Sequence, residues 1–164
     1  MLERLGKKQS IDGPRTDVQD VTLFEYYPAD DTEGRFRAVH LKAIINPLGH
    51  RTDYLEYDAD GRLTKVVAAD GVESSFSYDP RGRKRTATTA GRTVTFDRDP
   101  SGNVIRITQP DGAFLDYGYD ELNRLTAITD AFGNRIEYTL DASGNRITES
   151  TLDANGILAR ELQR

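Results

Sequence analysis

The chain has no Cys, no Trp and a single Met in 164 residues. Without Cys, disulfide frameworks and CxxC zinc sites are excluded, and cysteine usage carries no information on compartment. No apolar run approaches the ~18 residues of a membrane span. Lys7 and Lys8 in Met1–Ser10 are not followed by an apolar stretch, so no secretory signal is read there. Leu, Ile, Val and Phe number 14, 9, 8 and 6. Their share is about 23%, just above the ~20% at which chains begin to resemble disordered ones. A large, continuously packed core is not expected. A net charge of −5 argues against a general nucleic-acid binder. Ser/His/Asp order, P-loop and dinucleotide fingerprint are all lacking.

What the chain does have is 14 Gly and 18 Asp, and their spacing is regular. Ten glycines form one ladder: Gly49, Gly61, Gly71, Gly82, Gly91, Gly102, Gly112, Gly133, Gly144 and Gly156. The one double step, from Gly112 to Gly133, has Asn123 at its midpoint, and Asn tolerates positive φ best among non-glycine residues. Punctuation about every ten residues, with short β-rich runs between, predicts an antiparallel hairpin meander.

Two kinds of turn alternate. The first reads Asp-x-x-Gly-Arg/Asn and starts at Asp58, Asp79, Asp99 and Asp141, with Asp120 to Arg124 as the copy carrying Asn123. Asp first and Gly fourth suit a type I turn with a G1 bulge, a three-residue loop with the Asp side chain capping backbone N–H groups. The second kind is Asp70-Gly71, Ala90-Gly91, Asp111-Gly112 and Phe132-Gly133, expected as two-residue hairpin loops. Parity supports this scheme. Two three-residue loops bring a residue back to the same face at i+20, whereas one three- and one two-residue loop give i+21, the observed period. The repeat holding Gly91 has 20 residues, so a three-residue loop or a bulge is expected there.

The scheme pairs Tyr57 with Leu63, Tyr78 with Lys84, Tyr119 with Leu125 and Leu140 with Arg146. It places Leu55, Lys65, Phe76, Thr86, Phe96, Arg106, Tyr117, Ala127, Tyr138 and Thr148 in one row of an aromatic-rich face. The opposite face is expected to be polar, with Val66, Ile105, Ile107, Ile128 and Ile147 as its aliphatics.

The units Tyr57-Asp58-Ala-Asp-Gly61-Arg62-Leu63, Tyr78-Asp79-Pro-Arg-Gly82-Arg83 and Tyr119-Asp120-Glu-Leu-Asn123-Arg124-Leu125 resemble the YD repeat of the Rhs (rearrangement hotspot) family. Degenerate copies carry Arg98 or Leu140 for the Tyr. The resemblance covers about 46–156, with a weaker copy from Tyr26-Tyr27-Pro28 to Gly34-Arg35. It implies a long β-sheet that coils into a hollow shell, as in bacterial polymorphic toxins whose shell encloses a C-terminal toxin. It implies as partners the remainder of such a shell and its cargo. The family's autocleavage signature is approached by Asp79-Pro80-Arg81-Gly82 and Asp99-Pro100-Ser101-Gly102. Both lack the following Leu, and self-cleavage is not expected.

Other features have plain readings. His40 and His50 lack metal-ligand spacing and are placed at turns or on the surface. Asp58-x-Asp60-Gly61 hints at a calcium loop, but position 62 is Arg and position 69 is Ala. Arg81, Arg83, Lys84 and Arg85 surround one turn and are read as solvated edge protection. No carboxylate pair stands out as general acid and base.

The expected organisation is therefore all-β: a polar N-terminal arm or linker at 1–23, an irregular first repeat at 24–45, and an open repeat sheet at 46–164 ending mid-repeat. No enzyme activity, cofactor, metal or nucleic-acid partner is expected. Self-association through open strand edges is. The leading functional expectation is a structural shell segment, held in the bacterial cytoplasm before export or displayed at the surface. The alternative is a cell-surface glycan- or protein-binding repeat.

Overall fold

The computed structural model describes residues 8–13, 20–31 and 36–163. Among these there is no helix, and so none long and apolar enough to cross a membrane. The chain divides into two compact units, Met1–Arg92 and Thr93–Arg164.

The first unit holds β1 (Lys8–Ile11), β2 (Thr22–Tyr26), β3 (Leu41–Ile45), β4 (Arg51–Tyr57), β5 (Leu63–Val67), β6 (Glu73–Tyr78) and β7 (Lys84–Thr89), antiparallel in chain order. The second holds β8 (Arg92–Arg98), β9 (Val104–Thr108), β10 (Phe114–Tyr119), β11 (Leu125–Asp130), β12 (Arg135–Leu140), β13 (Arg146–Leu152) and β14 (Leu158–Gln163), again antiparallel in chain order. The predicted all-β meander is thus observed. Within 1–23, read as an arm, Lys8–Ile11 forms a strand paired with β2. Gly34 and Arg35 of the weak first copy lie outside the described residues.

A single layer of strands has two open faces, and burial reflects it. Among the described residues only Tyr27 and Ala43 are buried. Cohesion comes from the backbone ladder and from cross-strand side-chain neighbours.

The loops differ from the expected scheme in an instructive way. Asp70-Gly71 is not a two-residue loop. Ala68 and Val72 close it, with Ala68 N–H to Val72 O at 2.9 Å and Gly71 N–H to Ala68 O at 2.9 Å. That is the same three-residue loop as at Asp58, where Asp58 N–H meets Arg62 O at 2.9 Å and Gly61 N–H meets Asp58 O at 3.0 Å. Asp111-Gly112 and Phe132-Gly133 follow suit. Ala90-Gly91 is instead the two-residue loop, with both residues at positive φ (50° and 76°), the pattern of a type I′ turn. The expected lengths were inverted.

The odd residue that parity demands lies inside the strands. Tyr78 faces Lys84 but Ser77 faces Thr86, which leaves Arg85 as an extra residue in β7. The same step leaves Ile105 extra in β9, Thr126 in β11 and Ile147 in β13. Two three-residue loops plus one bulge give 21; where the loop shortens at Ala90-Gly91, the repeat falls to 20.

The bulge also corrects the rows. The pairs Tyr57–Leu63, Tyr78–Lys84, Tyr119–Leu125 and Leu140–Arg146 stand as predicted. Beyond the bulge, partners shift by one. Phe76 faces Ala87 rather than Thr86, Phe96 faces Ile107 rather than Arg106, Tyr117 faces Ile128 rather than Ala127, and Tyr138 faces Glu149 rather than Thr148. Val66, Ile107 and Ile128 therefore join the aromatic face. Thr86 and Arg106 move to the polar one, where Ser77 and Thr86 share a 2.6 Å hydroxyl bond and Arg106 chelates Asp116 (Nη2–Oδ2 2.6 Å).

Candidate functional site: turn clasps and tyrosine rungs

Within each unit the motif residues gather along one edge of its strands, where each turn is clasped by its own first residue. Asp79 Oδ1 accepts the Arg81 and Arg83 N–H groups, each at 2.9 Å, and Oδ2 accepts Arg83 Nε at 2.7 Å. Asp58 and Asp120 repeat this with Arg62 and Arg124. At Asp99 and Asp141 the fifth residue is Asn, and its amide reaches Oδ2 at 2.9 Å in both turns. Arg and Asn interchange at this position because each offers an N–H to the same oxygen. Asp130 makes the same clasp with Asn134 on the opposite edge.

These bonds favour the ionised carboxylate. The backbone N–H of Arg83 holds Asp79 below the usual carboxylate range, against a smaller desolvation effect. Arg124 does the same for Asp120, and the Asn145 side chain for Asp141. The carboxylates that the sequence supplies in abundance are thereby engaged by backbone geometry. Asp58 and Asp60 both hold Arg62, at 2.7 and 2.6 Å, which occupies the oxygens a calcium loop would need. Among the described residues no group of three or more His, Asp or Glu is placed to hold a metal.

Successive turns are in contact. Arg62 Nη1 lies 2.8 Å from where a Cβ on Gly82 would sit, and its guanidinium covers the Tyr78 ring at 5.0 Å. Gly82 has φ 79°, a left-handed conformation that favours glycine. Arg124 reaches the next turn and donates to Asp141 O at 3.0 Å. His40 takes the Arg position one repeat earlier: its ring stacks 4.5 Å from Tyr57, with Nε2 against Gly61. Asn123 (φ 59°) is accommodated because the residue reaching it is the shorter Asn103, whose amide donates to Asn123 Oδ1 at 2.7 Å. His50 sits at its own turn beside Asn46, at 3.4 Å.

The tyrosines add a second set of bonds that the sequence reading did not foresee. Tyr57 OH donates to Leu41 O at 2.6 Å, Tyr78 OH to Leu63 O at 2.7 Å and Tyr119 OH to Val104 O at 2.9 Å. Each crosses to the neighbouring strand's first residue. Tyr27 OH makes a different bond, forward past β3 to Tyr54 O within β4 at 2.9 Å. Burial raises Tyr57 to about 12. The signal available for these rungs is the recurring Tyr-Asp order at Tyr57, Tyr78 and Tyr119. Leu63 and Leu125 act through their backbone and their pairing with the tyrosines.

Two half-buried rings are covered by cations. Lys84 Nζ lies 4.3 Å over Phe76, and the Arg146 guanidinium lies 3.9 Å over Tyr138. Of the predicted basic cluster, Arg83 is spent on Asp79, Lys84 on Phe76, and Arg85 is the bulge residue.

Comparison with known proteins agrees with this geometry. The RHS Repeat model matches at residues 40–73, 57–94, 78–114, 98–135 and 119–157, each window stepping on by one YD unit. The chain is 31% identical over 123 residues to the tRNA nuclease WapA of Bacillus subtilis, covering 71% of this chain and 5% of that protein. It is 32% identical over 116 residues to double-stranded DNA deaminase toxin A of Burkholderia cenocepacia, covering 70% of this chain and 8% of that one. The chain therefore spans less than a tenth of the length of these relatives. Among solved structures, the Tc holotoxin pore of Photorhabdus luminescens shares the fold with a TM-score of 0.58 at 15% identity, over 97% of this chain and 11% of that one. The TcdB2-TccC3 structure gives the same TM-score and identity over 89% and 10%. With the repeat model matching from 40 to 157 and the motif residues forming turns and rungs in register, the chain belongs to the RHS repeat family.

Proposed function

We propose that this chain is a non-enzymatic wall segment of a larger RHS-repeat shell, which encloses and helps deliver a toxin in bacterial competition. The observation that carries this reading is that the motif residues are consumed in holding a core-free sheet together. Asp, Arg, Asn and Tyr of each repeat bond to the turn or to a neighbouring strand, and only Tyr27 and Ala43 are buried among the described residues. Such a single-layer sheet presents its two faces rather than an enclosed interior. The relatives with matching repeats are named toxins and nucleases, and this chain corresponds to a small fraction of each. In this reading the catalytic activities named for them reside elsewhere in those chains. The partners are the rest of the shell and its cargo, and the protein is held in the bacterial cytoplasm until delivery.

The test uses the complete gene product carrying this repeat array. Limited proteolysis should leave the cargo segment intact, and Gly82→Val with Gly144→Val, which disturb two wall turns, should expose it. Equal digestion of the cargo in both proteins would overturn the proposal. Binding on a glycan array that Tyr117→Ala and Tyr138→Ala abolish would assign surface recognition instead.

A further inference from the structure

Asn155-Gly156 is the sole Asn-Gly dipeptide in the sequence. It lies at the exposed tip of the turn from Asp153 to Ile157, with open space around the Gly156 Cα. Asp153 clasps this turn: Oδ1 accepts the Asn155 and Ile157 N–H groups at 2.9 and 2.8 Å. Gly156 N–H is held by Asp153 O at 2.9 Å.

The other turns show which residues this position accepts. Where the residue before the glycine is acidic, either the first residue is not, as in Ala68 to Val72 and Gln109 to Ala113, or a cation follows. At Asp58 to Arg62 both positions are acidic, and Arg62 binds both carboxylates. At Asp153 to Ile157 the first residue is acidic, and the fifth is an aliphatic side chain, 64% exposed. An Asp at 155 would add a second carboxylate to a turn whose fifth residue offers no cation.

We propose that Asn155 is a site of spontaneous deamidation, and that its conversion loosens the β13–β14 hairpin. The Gly156 amide nitrogen attacks the Asn155 side-chain carbonyl carbon. A C–N bond forms, the bond to the side-chain nitrogen breaks, and ammonia leaves a succinimide. Water then opens the ring. Addition at the side-chain carbonyl yields Asp; addition at the main-chain carbonyl yields isoaspartate, whose extra backbone atom the turn cannot hold. The Asp product places a second carboxylate in the turn that Asp153 clasps, followed by the aliphatic Ile157 where the Asp58 turn has Arg62. The Asp153 clasp is what slows the attack, because Gly156 N–H must leave Asp153 O before the nitrogen can move.

The full 164-residue chain is incubated at mildly alkaline pH and mapped by peptide mass spectrometry. Conversion should accumulate at Asn155 and proceed severalfold faster in Asp153→Ala. Asn155→Asp should show faster amide exchange across Leu158–Gln163 than the parent chain, and adding Ile157→Arg should restore protection as Arg62 does at the Asp58 turn. No conversion in the intact chain, while the peptide excised from it converts, would overturn the site. Unchanged exchange in Asn155→Asp, or no rescue by Ile157→Arg, would overturn the proposed consequence.

Discussion

The Tyr78 hydroxyl donates to the carbonyl of Leu63, fifteen residues earlier, at 2.7 Å. Tyr119 holds Val104 across the same separation. Replacing the hydroxyl by hydrogen removes the donor and leaves a partly buried carbonyl. Tyr78→Phe should cost about 0.5–1.5 kcal/mol, read as a lower midpoint in urea with unchanged slope. The reverse change tests the same relationship: Leu140→Tyr supplies a hydroxyl where the repeat lacks one, and should raise the midpoint.

The turn aspartates give the sheet an acid limit. Their carboxyl pKa values are lowered on folding, Asp79 by the Arg83 N–H and Asp120 by the Arg124 N–H. A lowered folded pKa contributes stability that is complete above the unfolded value, ~4, and is lost as pH falls through the folded one. Circular dichroism should show stability level through neutral pH and falling below about pH 4. Asp79→Asn with Asp120→Asn should flatten that dependence; an unchanged acid limb would refute the assignment.

Tyr57 sets an alkaline limit. Burial raises it to about 12, so the neutral phenol is the folded form. Its contribution is full below the unfolded value of ~10 and is lost as pH rises from there towards 12. Burial also raises Tyr27, Tyr78 and Tyr119, so phenolate absorbance should show several late-titrating tyrosines, with the amplitude near pH 12 lost in Tyr57→Phe.

Ala90 and Gly82 make opposite predictions about positive φ. Ala90 sits at φ 50° in the two-residue loop. Relieving its Cβ crowding favours glycine by about 1–2 kcal/mol, offset by roughly 0.5–1 kcal/mol of glycine's extra unfolded freedom. Ala90→Gly should therefore be neutral or mildly stabilising. Gly82→Val should destabilise by about 1–2 kcal/mol from its positive φ, since the overlying Arg62 guanidinium is a flexible end that can shift. Combining it with Arg62→Ala should therefore recover little of the loss.

Much of this was legible in the sequence because the signals are local. Asp first and Gly fourth specify a turn within five residues, and all the predicted turn positions lie at turns. The bulge was not legible. Its extra residue is Arg85, Ile105, Thr126 or Ile147, which share no chemistry, and its cause is the register between strands rather than any side chain. Loop length was misread because Asp-Gly suits both hairpin types. What separates them is the φ of the residue before glycine, positive at Ala90 and not at Asp70. The cross-turn contacts were half visible: Arg62 and Arg124 stood in the motif, but that each covers the following turn is a property of the folded sheet.

The scarcity of buried side chains has an evolutionary corollary. A packed interior ties every residue to many others, so inserting or deleting a segment disrupts all of them. Here the ties are local: within each unit an Arg or Asn reaches the next turn and, in the copies that carry it, a Tyr reaches back to the neighbouring strand. Such a chain can lengthen or shorten by recombination between copies, provided that the break falls at equivalent positions and so preserves the alternation of faces. Its 20-residue repeat keeps that alternation by losing one loop residue, which shows that repeat length itself can drift when the parity is kept.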